Sequence, residues 1–137
     1  MTDFTLAFIG GGSMARSLIG GLIADGWAPG RIQVADPDAA RTTQLAERFP
    51  VITTRDNSEA IAGADAVILA VKPQILHEVA TQIAPAIREQ QPVVISVAAG
   101  IRETSLRDWL GDQTAIVRCM PNTPALVQSG ATALYAN

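Results

Sequence analysis

Short apolar runs alternate along this chain with stretches whose apolar residues recur every three or four positions. The first run, Phe4-Thr5-Leu6-Ala7-Phe8-Ile9, predicts a buried strand. Behind it, Met14, Leu18 and Leu22 with Ala15, Ile19 and Ile23 mark one face of a helix. The second strand is expected at Ile32-Gln33-Val34-Ala35, entered from the turn at Pro29-Gly30. Thr42, Leu45, Ala46 and Phe49 share a side of the next helix, which Pro50 ends. Val51-Ile52-Thr53 predicts a short third strand, and a brief helix over 58–62 leads through Gly63 into Ala66-Val67-Ile68-Leu69-Ala70-Val71, the clearest central strand. Pro73 suits the first turn of the following helix, which places Ile75, Leu76, Val79, Ile83 and Ile87 on one face. A strand over 93–97, a helix over 103–110, a strand over 115–120 and a last extended run over 131–135 complete the series.

Repeated strand–helix units imply right-handed crossovers, and so an α/β, doubly wound, mainly parallel sheet. Composition agrees: 48% of the 137 residues are hydrophobic but only 4% are aromatic, so the core must be mainly Val, Ile, Leu and Ala. Strands covered on both faces by helices have that character. The length suits one domain over residues 1–137. The formal net charge of −3 is spread along the chain. No basic patch points to nucleic acid, and no polybasic or long apolar stretch points to a membrane. The chain enters its first strand without a signal-peptide pattern, and Cys119 is the single cysteine, so a reducing cytoplasm is expected.

Where the first strand stops, Gly10-Gly11-Gly12-Ser13-Met14-Ala15 opens the first helix. Strand, Gly-x-Gly-x-x-Ala and helix in succession form the dinucleotide-binding fingerprint of a Rossmann-like fold. Gly10 permits the turn, Gly12 leaves room for a pyrophosphate, and Ala15 brings helix and sheet close. The free N–H groups of the helix start then face the phosphates. Ligands of such sheets lie beyond the carboxyl ends of the strands. After the second strand stands Asp36, placed to bind the adenosine ribose or to act as a turn residue before Pro37 and Asp38. As a ribose ligand it would repel a 2′-phosphate and favour NAD, with Arg41 softening that repulsion. After the central strand come Ala70, Val71, Lys72 and Pro73, whose backbone is expected to line the cleft. Ala98-Ala99-Gly100 would let a nicotinamide approach, and the loop Met120-Pro121-Asn122-Thr123-Pro124 offers Asn122 and Thr123 as substrate or nicotinamide contacts. His77 falls on an exposed helix side, and Cys119 on a strand. No metal-ligand cluster, nucleophilic triad or acid/base carboxylate pair emerges, and no catalytic side chain is assigned.

These segments resemble the pyrroline-5-carboxylate reductase family. The match runs through 8–15, Ala70-Val71-Lys72-Pro73-Gln74 and 95–101, and most specifically through Arg118-Cys119-Met120-Pro121-Asn122-Thr123-Pro124-Ala125-Leu126-Val127 and the stretch 130–137. The resemblance implies reduction of the imine of 1-pyrroline-5-carboxylate to L-proline, the last step of proline synthesis, with NADPH or NADH as cofactor. It implies cofactor contacts at Ile9, Gly10, Gly11, Gly12, Ser13 and Met14, at Asp36, at Asn57 and at Ala70, Val71, Lys72 and Pro73. Asn57 on its own reads as a helix cap before Ser58. Two residues depart from the family pattern: Ser13 stands where Asn is common, and Asp36 where several members carry a neutral residue. Family members continue into a helical C-terminal domain that forms the homo-oligomer and much of the substrate pocket, and this chain stops short of it. The rival readings are a methyltransferase with a glycine-rich loop, for which the 120–124 loop has no role, and a non-enzymatic dinucleotide-binding or redox-sensing module.

Overall fold

A computed structural model describes residues 4–97 and 102–118. In chain order the elements are β1 (Leu6–Ile9), α1 (Ser13–Ala24), a 3-10 turn (Pro29–Arg31), β2 (Ile32–Ala35), α2 (Ala39–Arg48), β3 (Ile52–Thr54), α3 (Asn57–Ile61), β4 (Ala66–Leu69), α4 (Pro73–Gln90), β5 (Val93–Ser96), α5 (Glu103–Leu110) and β6 (Ala115–Arg118). The six strands form one sheet in the order β3-β2-β1-β4-β5-β6, and every pairing is parallel. The winding reverses at β1, which pairs Phe8 with Val34 on one side and with Ile68 on the other.

Alternation along each strand divides the core in two. Leu6, Phe8, Ile32, Val34, Ala66, Ile68 and Ile95 meet Ala15, Leu18, Ile19 and Leu22 of α1 and Leu45 of α2. Ala7, Ile9, Val67, Leu69 and Val94 meet Ile61 of α3, Leu76, Ala80, Ile83 and Ile87 of α4, and Leu106 and Leu110 of α5. Both faces of β1 and β4 are buried, which is why those strands are apolar at every position.

Three apolar positions depart from the expected core face. Met14 is 42% exposed and Ile75 46% exposed, and Ala46 also faces solvent. Met14 and Ile75 sit in the first turns of α1 and α4, just beyond the carboxyl ends of β1 and β4. The strands are shorter than the apolar runs: β4 closes at Leu69, so Ala70 and Val71 belong to the loop behind it. His77 is exposed, as expected, and stacks on Trp109 with ring centroids 4.6 Å apart. Cys119 and the extended run over 131–135 lie outside the described residues.

Candidate functional site

A cleft of about 1190 Å³ opens at the carboxyl ends of β1, β2, β3 and β4, where the winding reverses. Its floor is the turn between β1 and α1. The Gly10 N–H donates to Ala35 O at 2.8 Å and the Ala70 N–H to Ile9 O at 2.8 Å, so the turn is tied to both flanking strands. Gly10 has φ +106, and a Cβ there would come within 2.7 Å of Ala70 O. Both facts demand glycine. Gly11 is closed in differently: a Cβ would meet Leu45 Cδ1 at 2.9 Å and Asp36 Oδ2 at 3.5 Å. Gly12 differs from both, because none of the described residues comes within 4 Å of where its Cβ would be.

Gly12 caps α1 through its backbone, and among the described residues no side chain accepts the N–H groups of that helix's first turn. α4 also begins without a side-chain cap, with Lys72 at the cap position and Pro73 supplying the first turn as expected. The positive ends of these two helices therefore meet at the cleft with their donors unused by side chains. α2 and α3 differ. Asp38 Oδ1 accepts from Ala40 N at 2.9 Å, and Asp56 Oδ1 accepts from Ser58 N at 2.9 Å.

The expected residues converge. Ile9, Gly10, Gly12, Ser13, Met14, Asp36, Asn57, Ala70, Val71 and Lys72 all line the cleft. Ala15 lies fully buried beneath it, and Pro73 is exposed at the start of α4. Asn57 is the first residue of α3, whereas Asp56 is its cap; the Asn57 amide instead donates to Gln82 Oε1 at 3.1 Å. Of the two readings left open for Asp36, its geometry fits the turn residue. Its side chain is only 4% exposed, Oδ2 accepts from Gly11 N at 2.8 Å, and Oδ1 accepts from Asp38 N at 2.8 Å. Arg41 Nη1 lies 3.5 Å from Oδ2. The carboxylate is thus a turn acceptor with a guanidinium against it rather than an open negative group in the cleft, and the electrostatic case for NAD over NADP weakens.

Arg55, Ile75, Glu78, Val79 and Gln82 also line the cleft and were not foreseen. Arg55 directly follows β3, so the strand-end rule that selected Asp36 and Lys72 applied to it as well. Ala98-Ala99-Gly100, Asn122 and Thr123 lie outside the described residues. Among the described residues no group of three or more His, Cys, Asp or Glu side chains is placed to hold a metal ion, and no helix is long and apolar enough to cross a membrane.

A second cavity, about 690 Å³, opens at the opposite edge of the sheet, between the C-terminal ends of α4 and α5. One of its arginines caps the end of α5 and the other holds the loop behind it. Arg88 Nε donates to Leu110 O at 3.1 Å, and Arg107 Nη1 to Asp112 O at 3.1 Å and Thr114 O at 3.2 Å.

Strand order, glycine turn and cleft together define a Rossmann-like domain. The family described as NADP oxidoreductase coenzyme F420-dependent matches residues 5–100, and the chain belongs to that family. Within it, the chain is similar along its whole length to a pyrroline-5-carboxylate reductase of Pseudomonas aeruginosa, at 48% identity over 137 residues that make up 50% of that protein. A pyrroline-5-carboxylate reductase structure from Coxiella burnetii superposes with a TM-score of 0.84 at 40% identity, over 92% of this chain and 47% of that one. The Plasmodium falciparum pyrroline carboxylate reductase with NADP bound gives 0.76 at 29% identity, over 93% of this chain and 45% of that one. The chain therefore spans about half the length of the relatives it matches.

Proposed function

We propose that this chain binds NADPH or NADH in the cleft and is the cofactor-binding part of a reductase that converts 1-pyrroline-5-carboxylate to L-proline. One observation carries the cofactor half: the open space at Gly12 beneath the uncapped start of α1. A pyrophosphate fits that cradle, since the amides of the first turn have no competing side-chain acceptor and no Cβ fills the approach. The likeness to named reductases along the whole chain supports the substrate half.

In this reading the amides at the start of α1 hold the pyrophosphate. Asn57 and the rim around Asp36 face the adenosine ribose, and the backbone at Ala70, Val71 and Lys72 supports the nicotinamide half. The bound dinucleotide supplies a hydride for the imine carbon, and the chain's task is to orient that cofactor and keep water from it. Asn122 and Thr123 are the proposed contacts to substrate or nicotinamide. The homo-oligomer, the rest of the substrate pocket and a cytoplasmic setting belong to the same proposal, supported by the family resemblance and by the single cysteine.

Titration with NADPH, NADH and S-adenosylmethionine, run on the parent chain and on Gly12→Val, tests the cofactor half. The parent should bind both dinucleotides and not S-adenosylmethionine, and a folded Gly12→Val should bind neither dinucleotide. Retained dinucleotide affinity in that variant would move the site elsewhere. Turnover of 1-pyrroline-5-carboxylate tests the rest. The 137-residue chain should fall far below a full-length relative, because closing a pocket around both reactants supplies up to roughly 7–11 kcal/mol of positioning in the best cases. Dinucleotide binding without imine reduction in any longer natural form would favour the sensor reading.

A further inference from the structure

Asp36 is the only charged side chain buried among the described residues. A buried carboxylate is costly unless its oxygens are filled by donors. Here each oxygen takes one backbone N–H at 2.8 Å, Oδ2 from Gly11 and Oδ1 from Asp38, and Arg41 stands 3.5 Å away. Three segments meet at this one group: the glycine turn, the turn after β2, and α2. Gly11 is also the glycine whose Cβ would strike Leu45, so the turn is pressed against α2 just where Asp36 grips it. The Gly11 amide is consequently spent on the protein and cannot serve a phosphate, which leaves that work to the amides behind Gly12.

We propose that Asp36 is a positioning residue. Through the Gly11 N–H it holds the glycine turn in the shape that presents the α1 amides, and it does not itself bind ribose. The proposal rests on the reading of the cleft as a dinucleotide site, and it reverses what an acidic residue at this place suggests for selectivity. An acidic ribose ligand would favour NADH, and its removal would raise relative affinity for NADPH. A strut favours neither, and its removal should weaken both alike.

Asp36→Asn is the informative variant. It keeps size and shape, but Gly11 loses its charged acceptor whichever way the amide turns: its N–H meets either an opposing NH₂ group or a neutral oxygen, which is the weaker acceptor. Amide hydrogen exchange is measured without ligand on the 137-residue chain, and NADH and NADPH are then titrated separately. Exchange at Gly11 should accelerate at least about tenfold, with Phe8 in β1 unchanged, as expected for loss of a charge-assisted bond. Both affinities should fall by a similar factor, about tenfold, with their ratio held within about twofold. A selective loss of NADH affinity overturns the proposal in favour of a ribose ligand, and unchanged Gly11 exchange overturns it outright. Should Asp36→Asn fail to fold, the parent still decides, because an NMR coupling across the Gly11 N–H to Asp36 carboxylate bond must be present. A parent that binds neither dinucleotide removes the functional reading, while the exchange data still report on the strut.

Discussion

Four helices begin along the cleft, and they begin in two ways. α2 and α3, at the rim beyond β2 and β3, each carry an aspartate cap, Asp38 and Asp56. α1 and α4, at the point where the winding reverses, carry none. A side-chain cap stabilises a helix by about 1 kcal/mol. The two central helices forgo that stabilisation and keep their donors available, whereas the two outer ones use theirs for stability. Within one sheet edge, then, the centre leaves its first-turn donors open and the rim commits them to internal cohesion. At the opposite edge, where the C-terminal ends of α4 and α5 gather, Arg88 donates to Leu110 O at the end of α5 and Arg107 to Asp112 O in the loop behind it.

The largest expected effect comes from forcing the centre to behave like the rim. Gly12 has φ −81 and ψ −161, open to any residue, and nothing crowds its Cβ. Gly12→Asp should therefore cap α1, with its carboxylate accepting from the first-turn amides. Thermal stability should hold or rise slightly, while dinucleotide affinity falls about a hundredfold or more, because a fixed anion occupies the phosphate's donors and repels it. Calorimetry and cofactor titration on the same sample read both. A variant that gained stability and still bound dinucleotide would mean that the α1 amides are not the phosphate site.

The converse change at the rim should be smaller and of the opposite kind. Asp38→Ala removes the acceptor of Ala40 N and leaves α2 uncapped. Stability should drop by about 1 kcal/mol, read as a shift in the urea midpoint, because one first-turn donor loses its partner. Dinucleotide affinity should change by less than about threefold, since Asp38 does not line the cleft. A large loss of affinity at unchanged stability would erase the distinction between the two kinds of helix start.

The fold was legible because periodicity carries it. Runs covered on both faces mark β1 and β4, and α5 falls on 103–110 as its pattern predicts. The cleft was legible because the strand-end rule names places rather than contacts: Gly12, Asp36 and Lys72 do meet there, joined by Asn57, which the family resemblance alone had named. Periodicity failed at Met14 and Ile75 for a physical reason. An apolar residue just beyond the strand ends has the same spacing as one above the sheet, yet it faces the cleft. The cap of α3 was displaced by one residue, although Asp56 with Glu59 three positions on has the spacing of a capping box. The local partners of Asp36, Asp38 N in the turn and Arg41 on the next helix, follow from its place before Pro37, but its third partner does not. Its Gly11 donor lies 25 residues away, and only packing of the glycine turn against α2 brings the two together.

The smallest expected effect concerns the charge that the rim leaves toward the cleft. With Asp36 enclosed and Asp56 engaged in its cap, Arg41 and Arg55 are the cations lining this side. Arg41 is half exposed and within reach of both Asp36 and Asp38, at 3.5 and 3.8 Å. Its positive field should favour a 2′-phosphate modestly, because solvent screens it and two carboxylates share it. Arg41→Ala should thus lower the NADPH-to-NADH affinity ratio by about threefold at low salt, with the difference fading as ionic strength rises. Paired titrations at two salt concentrations check this. A loss equal for both cofactors would assign Arg41 to holding Asp36 in place, and would make it a second member of the strut instead of a reader of the phosphate.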